Sequence, residues 1–462
     1  MSTNISRRKV VAGAAWAAPV VAASAAVPAF ASSTECEYAS ETTPDYIISG
    51  TDAGAKGTQS FVVPAKVDKI KFVVIGGAGG TNYPDMAAGS GAKLTGSIEV
   101  KEGQTIKLVA GAGGIGNGPL TAAEGGEGYG NGGSSNLPTP IPANVMQRVN
   151  AVWPKDSSLK RIIYSASGGG SSALLIDGTP VAVAGAGGGS GFVNAGGANN
   201  NFDYIFPGAV DAGRLWPKDD KGNFIPRNMA PVIGSTGGSA EGVAGSAGNQ
   251  GSLTYSADTS VTTTVNAGEG GSAGIGGNGG AKTDLPSGKS PNGVLGYSST
   301  NNQEIYNSSK SGNDGGAGFT GNGGDGVGSY SYMIDNNDRT VKEVVTVKAT
   351  GEKKALEYDS IGFNWNGYQS VISAGGGAGY GGGGSGASTS SSAIVLTQKW
   401  NNNPDGLRQN TGFAQFGGGG GAGGSYIAPG ASGGKIESAD NAPTARGQRK
   451  NGSVAVFLCK RS

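Results

Sequence analysis

Glycine stands at every third position from Gly268 to Gly280, at Gly268, Gly271, Gly274, Gly277 and Gly280 of the run GEGGSAGIGGNGG. The spacing returns at Gly242, Gly245, Gly248 and Gly251, at Gly312, Gly315, Gly318, Gly321 and Gly324, and more briefly at Gly376, Gly379, Gly382 and at Gly417, Gly420, Gly423. A period of three belongs to neither an α-helix nor a strand. It is the repeat of a left-handed polyproline II-type helix, which makes no internal hydrogen bonds. Every backbone donor in such a tract needs a partner elsewhere. Glycine at each third position clears one face, so that a second tract can approach to hydrogen-bonding distance. Two or more glycines per triplet, as in GGNGG, clear further faces and suit a tract surrounded by others. The spacing therefore predicts a bundle of polyglycine II helices.

Composition sets two competing readings. With 90 glycines and 20 prolines in 462 residues, the chain approaches the range of low-complexity disorder. Against disorder stand the periodicity itself, an apolar content of 36%, and strand-like runs of Val, Ile and Phe between the tracts. Collagen is a minor alternative, disfavoured by the absence of proline from Gly268 to Gly280. A calcium-binding β-roll is another minor alternative, disfavoured by Thr320, which follows Gly315-Gly316-Ala317-Gly318-Phe319 where that repeat needs aspartate. The chain holds no histidine, which removes the usual general base and the commonest transition-metal ligand. Without Arg7, Arg8 and Lys9 the remaining charge is near neutral, so neither nucleic acid nor an anionic membrane is an expected partner.

Residues 1–31 read as an export signal peptide: Ser6-Arg7-Arg8-Lys9-Val10-Val11, an Ala/Val stretch, then Ala29-Phe30-Ala31 before Ser32. The paired arginines suit a twin-arginine signal, with a general secretory leader as the alternative. Either places residues 32–462 outside a bacterial cytoplasm, secreted or at the cell surface, and no second apolar run is long enough to span a membrane. The two cysteines, Cys36 and Cys459, suit a disulfide in an oxidising compartment. A lipidated Cys36, disfavoured by Ser33-Thr34-Glu35, and two free thiols are the alternatives.

Eight strands are expected. They are Tyr46 to Ile48, Gln59 to Val63, Lys69 to Ile75, Lys93 to Val100, Thr105 to Val109, Ser172 to Ile176, Val181 to Ala184 and Ser453 to Leu458. Lys93 to Val100 alternates, with Leu94, Ile98 and Val100 on one face and charged or hydroxyl residues on the other. Asp177-Gly178 signals a hairpin, because both central residues of a type I′ turn need positive φ. Short strands with such turns suit an all-β sandwich. The glycine tracts interrupt it as insertions, the main one spanning 185–451.

Glycine-poor loops between the tracts, at about 136–166, 199–233, 281–310, 329–373, 387–415 and 425–451, hold most of the aromatic residues. Val152-Trp153-Pro154-Lys155-Asp156 is echoed by Leu215-Trp216-Pro217-Lys218-Asp219. If the echo is more than coincidence, the two loops lie side by side at one end of the bundle. Trp153, Phe202, Tyr204, Phe206, Trp216 and Phe224 are the candidate ligand-binding residues; a small internal core of long loops is the competing use for them. Phe363, Trp365 and Tyr368 stand under the same two readings.

No catalytic constellation is present. Gly111-Ala112-Gly113-Gly114-Ile115-Gly116 fits a dinucleotide fingerprint, but Asn117-Gly118-Pro119 follows in place of a helix. Pro286-Ser287-Gly288-Lys289-Ser290 resembles the end of a phosphate loop, yet Thr283 occupies the first glycine position. No metal site and no cofactor are expected.

The runs SFVVPAKVDKIKFVVIGGAGG, AKLTGSIEVKEGQTIKLVAGAGG, ALLIDGTPVAVAGAGGGSG, GGGGGAGGSY and NGSVAVFL resemble the glycine-rich domains of bacterial surface and secreted proteins. The arrangement is similar to the glycine-rich extracellular domain of anaplastic-lymphoma-type receptor kinases, and in its glycine helices alone to phage tail-tip adhesins. The resemblance covers most of residues 45–459 and implies a jelly-roll, TNF-like β-sandwich with inserted polyglycine II helices and long decorated loops. It carries over no binding residue. The expected function is non-enzymatic adhesion, with loops that bind a surface protein or glycan. A structural spacer or assembly subunit of the envelope is the alternative, and an ice-binding surface a third.

Overall fold

The computed structural model describes residues 37–40, 42–82, 87–118, 120–138, 140–152, 160–197, 236–256, 260–282, 303–335, 340–347, 352–359, 367–398 and 407–461. Cys36 and residues 1–31, the expected signal peptide, lie outside them. In chain order the elements are β1 (Glu37–Tyr38), β2 (Tyr46–Ser49), β3 (Gly57–Val62), β4 (Val67–Ile75), β5 (Ala92–Glu99), β6 (Thr105–Ala110), α1 (Ala143–Val152), β7 (Lys160–Tyr164), β8 (Ser172–Ile176), β9 (Thr179–Ala184), β10 (Phe192–Gly197), β11 (Gly251–Ser256) and β12 (Ser260–Val265). They continue with β13 (Gln303–Tyr306), β14 (Ser308–Lys310), β15 (Gly328–Asp335), β16 (Thr340–Val347), β17 (Glu352–Asp359), β18 (Gly367–Ile372), β19 (Ser388–Gln398), β20 (Leu407–Gly417), β21 (Tyr426–Ile427), β22 (Ser432–Ser438) and β23 (Ser453–Lys460). The described fold is all-β with almost no helix, and its pairings are antiparallel except for β7 with β18.

All eight expected strands are present, as β2, β3, β4, β5, β6, β8, β9 and β23. They form two sheets, β1-β23-β4-β5-β22 with β2 also on β23, and β21-β9-β8-β6-β3. Alternation explains the division. Ile70, Phe72, Val74 and Leu94 of the first sheet meet Ile106, Leu108, Leu174 and Val181 of the second in one buried cluster. Gly96 interrupts β5 because a Cβ there would stand 2.8 Å from the Phe72 ring. The expected hairpin turn is also present, with φ of 49° at Asp177 and 80° at Gly178. The Asp177 carboxylate accepts from the Thr105 N–H at 2.8 Å and so ties the turn to β6.

The segment 425–451, read as a loop, instead supplies β21 and β22, which close the edge of each sheet beside β9 and β5. In β22 most residues are exposed, so no apolar alternation marks it. The range expected to be the main insertion thus includes strands of the sandwich.

Between strands the glycine tracts bond sideways. Gly420 and Gly423 donate to Gly189 and Ala186, and Gly421 and Gly424 donate to Gly384 and Gly381. Ala422 turns to a third neighbour and donates to Ser246 O at 3.0 Å. Residues three apart address the same neighbouring tract. Side chains are excluded where tracts meet: a Cβ on Gly376 would fall 2.0 Å from Gly383 O, while its own N–H reaches Gly324 O at 2.9 Å.

The tracts turn back near the sandwich. The turns use positive φ at Ala273 and Gly274, at Gly318 and at Gly381, and they bond to one another through Gly318 N–H to Gly274 O and Gly381 N–H to Gly318 O. Phe319 stacks on Tyr380 with centroids 4.6 Å apart and meets Tyr426 edge-on at 5.0 Å. Phe319 and Tyr426, with Tyr129, cover Val109, Ala173, Leu175 and Val183 on the outer face of the second sheet. These aromatic side chains seat the bundle on the sandwich.

Candidate functional site

Beyond the tracts stand two further sheets, β13-β15-β18-β7 and β10-β20-β19-β14. Most of their strands fall in 136–166, 281–310, 329–373 and 387–415, expected to be loops, and β10 lies in the expected main insertion. The reason they form strands lies in alternation of a different kind: Ser329 and Ser331 alternate with Tyr330 and Tyr332. The serines face the second sheet, where Ser329 Oγ meets Ser388 Oγ at 2.7 Å and Ser331 Oγ meets Ser390 Oγ at 2.9 Å. At the level of Ser329 and Ser388, on the neighbouring strands, the contact is apolar, through Ile163, Val371 and Phe192.

The strands all run between the glycine tracts and the opposite end. At that far end β7 begins at Lys160, β10 ends at Gly197, β13 begins at Gln303, β15 ends at Asp335, β18 begins at Gly367, and β19 ends opposite the start of β20. Register aligns them: Gln303 pairs with Asp335, Met333 with Gly367, and Tyr368 with Lys160. Segments 153–159, 198–235, 283–302, 360–366 and 399–406 are therefore entered or left at one end of the molecule. Trp153 belongs to the first, and Phe202, Tyr204, Phe206, Trp216 and Phe224 belong to the second; all six lie outside the described residues, as do Phe363 and Trp365.

Tyr368 is described, and the structure brings it together with residues that the sequence reading passed over. Register sets Tyr306, Tyr332 and Tyr368 in one row across β13, β15 and β18. The Tyr306 ring stacks on Tyr330 at 4.9 Å and on Tyr332 at 5.3 Å, and the latter two rings lie 6.3 Å apart, 11° from parallel. Ile141, just before α1, and Val145, in its first turn, pack against Tyr332, with Met146 and Tyr368 beside them. This support fixes Tyr332 at 8% exposure, whereas Tyr306 on the edge strand keeps 39%. Burial, then a hydrogen bond and repulsion from Tyr306, push the Tyr330 phenol up to about 12. The period-two tyrosines at 330 and 332 were the available signal, hidden by the absence of apolar residues between them.

Among the described residues no group of three His, Cys, Asp or Glu could hold a metal ion. No described helix is long and apolar enough to cross a membrane. The arrangement offers stacking surface and hydroxyl groups. Compared with protein families and with curated proteins, the chain matches none.

Proposed function

We propose that this is an exported, non-enzymatic surface or secreted protein that binds a partner through segments carried at the far end of its two outer sheets. In this reading the sandwich is jelly-roll-like and serves as the base. The tracts are polyglycine II helices, supported by the three-residue recurrence of their hydrogen-bond partners, and they act as a rigid mount. The twin-arginine-like leader directs export.

The observation that carries the reading is the shared far-end position at which the glycine-poor segments join the strands. It favours reading the two WPKD segments as neighbours: 153–159 leads into β7 and 198–235 leaves β10, and Ile163 and Phe192 of those strands belong to one buried cluster with Val371. Removing residues 200–230 should abolish binding to whole cells or extracted envelope with the melting transition intact. Binding unchanged by that deletion would sink the assignment.

A second reading, an envelope spacer or assembly subunit, is favoured by Val243 and Ile275, which are 55% and 71% exposed at neighbouring tract turns. Filaments or lattices in negative-stain images of the purified chain would support it over adhesion.

A further inference from the structure

We infer that the tyrosine stack on β13 and β15 binds a neutral oligosaccharide, with a pyranose ring laid on Tyr306. This rests on the surface-binding reading above and names the chemistry of the partner.

Three observations favour this occupant. The first is shape. Tyr306 has one ring face against Tyr330 and Tyr332 and retains 39% exposure. The platform is stiff, because Val145 and Ile141 support Tyr332 from behind, so little freedom is lost when a ligand settles. A pyranose whose hydroxyls are equatorial presents a flat face of C–H groups. Such polarised hydrogens suit the electron-rich face of an aromatic ring.

The second is charge. Tyrosine is neutral at physiological pH, and Tyr330 holds its proton up to about 12. The stack therefore offers no fixed charge to a polyanion or an acidic peptide, whereas a neutral sugar requires none.

The third is position. β13 is the edge of its sheet, and the chain passes directly from Tyr306 through Asn307 to β14 in the other sheet. The exposed ring thus lies where the chain leaves β13, and Ser308 Oγ, which donates to Tyr330 O at 2.7 Å and accepts from Tyr330 N–H at 2.9 Å, fixes that corner. A preformed aromatic floor at a sheet edge can take a sugar ring with little rearrangement.

The test uses the full chain with cellohexaose and chitohexaose in calorimetry, alongside Tyr306→Ala, Tyr306→Phe and a melting curve for each. At least one hexasaccharide should bind. Tyr306→Ala should weaken binding about 10-fold and Tyr306→Phe less than about 3-fold, with both variants melting near the wild type. If Tyr306→Ala does not fold, saturation transfer from tyrosine ring protons of the wild type to the sugar decides the matter, and its absence overturns the proposal. Failure of both sugars to bind, or affinity indifferent to Tyr306→Ala, also overturns it. Cell binding that depends on residues 200–230 while neither sugar binds would overturn the saccharide inference and leave the surface reading standing. Sugar binding through Tyr306 without any cell binding would do the reverse.

Discussion

Tyr38 on β1 stands directly opposite Cys459 on β23, in a pairing that brings the start of the described chain against its last strand. Cys459 is wholly buried, and Cys36 precedes Tyr38 by two residues. We propose that Cys36 and Cys459 form a disulfide. By loop-closure reasoning, such a long loop contributes about 5 kcal/mol. Non-reducing peptide mapping of exported protein should recover the linked pair, and Cys459→Ser should lower the melting temperature by about 5 °C. Unlinked cysteines in mature protein would refute the pairing.

The bundle makes a sharper demand on single atoms. A Cβ on Gly376 would lie 2.0 Å from Gly383 O, while Gly430 has nothing within 4 Å. Gly376→Ala should destabilise the chain by more than about 3 kcal/mol, through backbone displacement and lost inter-tract bonds. Gly430→Ala should stay within about 0.5 kcal/mol of wild type. Denaturant titration of the two variants measures the contrast.

The aromatic seat between bundle and sandwich predicts a coupled loss. Phe319→Ala removes the ring stacked on Tyr380 and set edge-on to Tyr426. We expect a cost of about 2–3 kcal/mol, since Phe319 is only partly buried. Hydrogen exchange should rise first at Gly318 and Gly381, whose N–H groups bond between turns. Faster exchange in β4 before those turns would contradict the seat.

Tyr330 gives a prediction in alkali. Its folded-state pKa is raised from 10.0 to about 12, by burial and then by Tyr306. The stability linked to this proton is fully present below pH 10 and is lost as pH rises through about 12, because the unfolded phenol ionises first. Ultraviolet titration should resolve a late-ionising tyrosine. In Tyr306→Phe that tyrosine should ionise earlier, since the hydrogen bond is gone while burial remains. A wild-type spectrum in which every tyrosine ionises together near 10 would count against the stack.

What could be read from the residues followed from which interaction holds each region. The sandwich strands were legible because Leu94 stands between Lys93 and Thr95, and Ile70, Phe72 and Val74 recur at every second position of a Val- and Ile-rich run, so that each strand buries one apolar face. Asp177-Gly178 was legible because turn backbone geometry restricts residue choice. The outer sheets were not, because Ser329, Ser331, Ser388 and Ser390 join them through hydroxyls, which leaves no hydrophobic period to find. Tyr306 looked like a residue of a loop until register placed it beside Tyr332. Trp153, Phe202, Tyr204, Phe206, Trp216 and Phe224 lie outside the described residues, and only their points of attachment bear on them.

The recurrence of partners every third residue also restricts how tract lengths can change. Gly420 and Gly423 share one neighbour, and Gly421 and Gly424 share another. Losing one residue rotates every later donor toward the wrong neighbour, whereas losing three shortens the tract and leaves each remaining donor with its own address. Lineages carrying this interior would lengthen or shorten it by whole triplets, so the gaps between their sequences should fall in multiples of three.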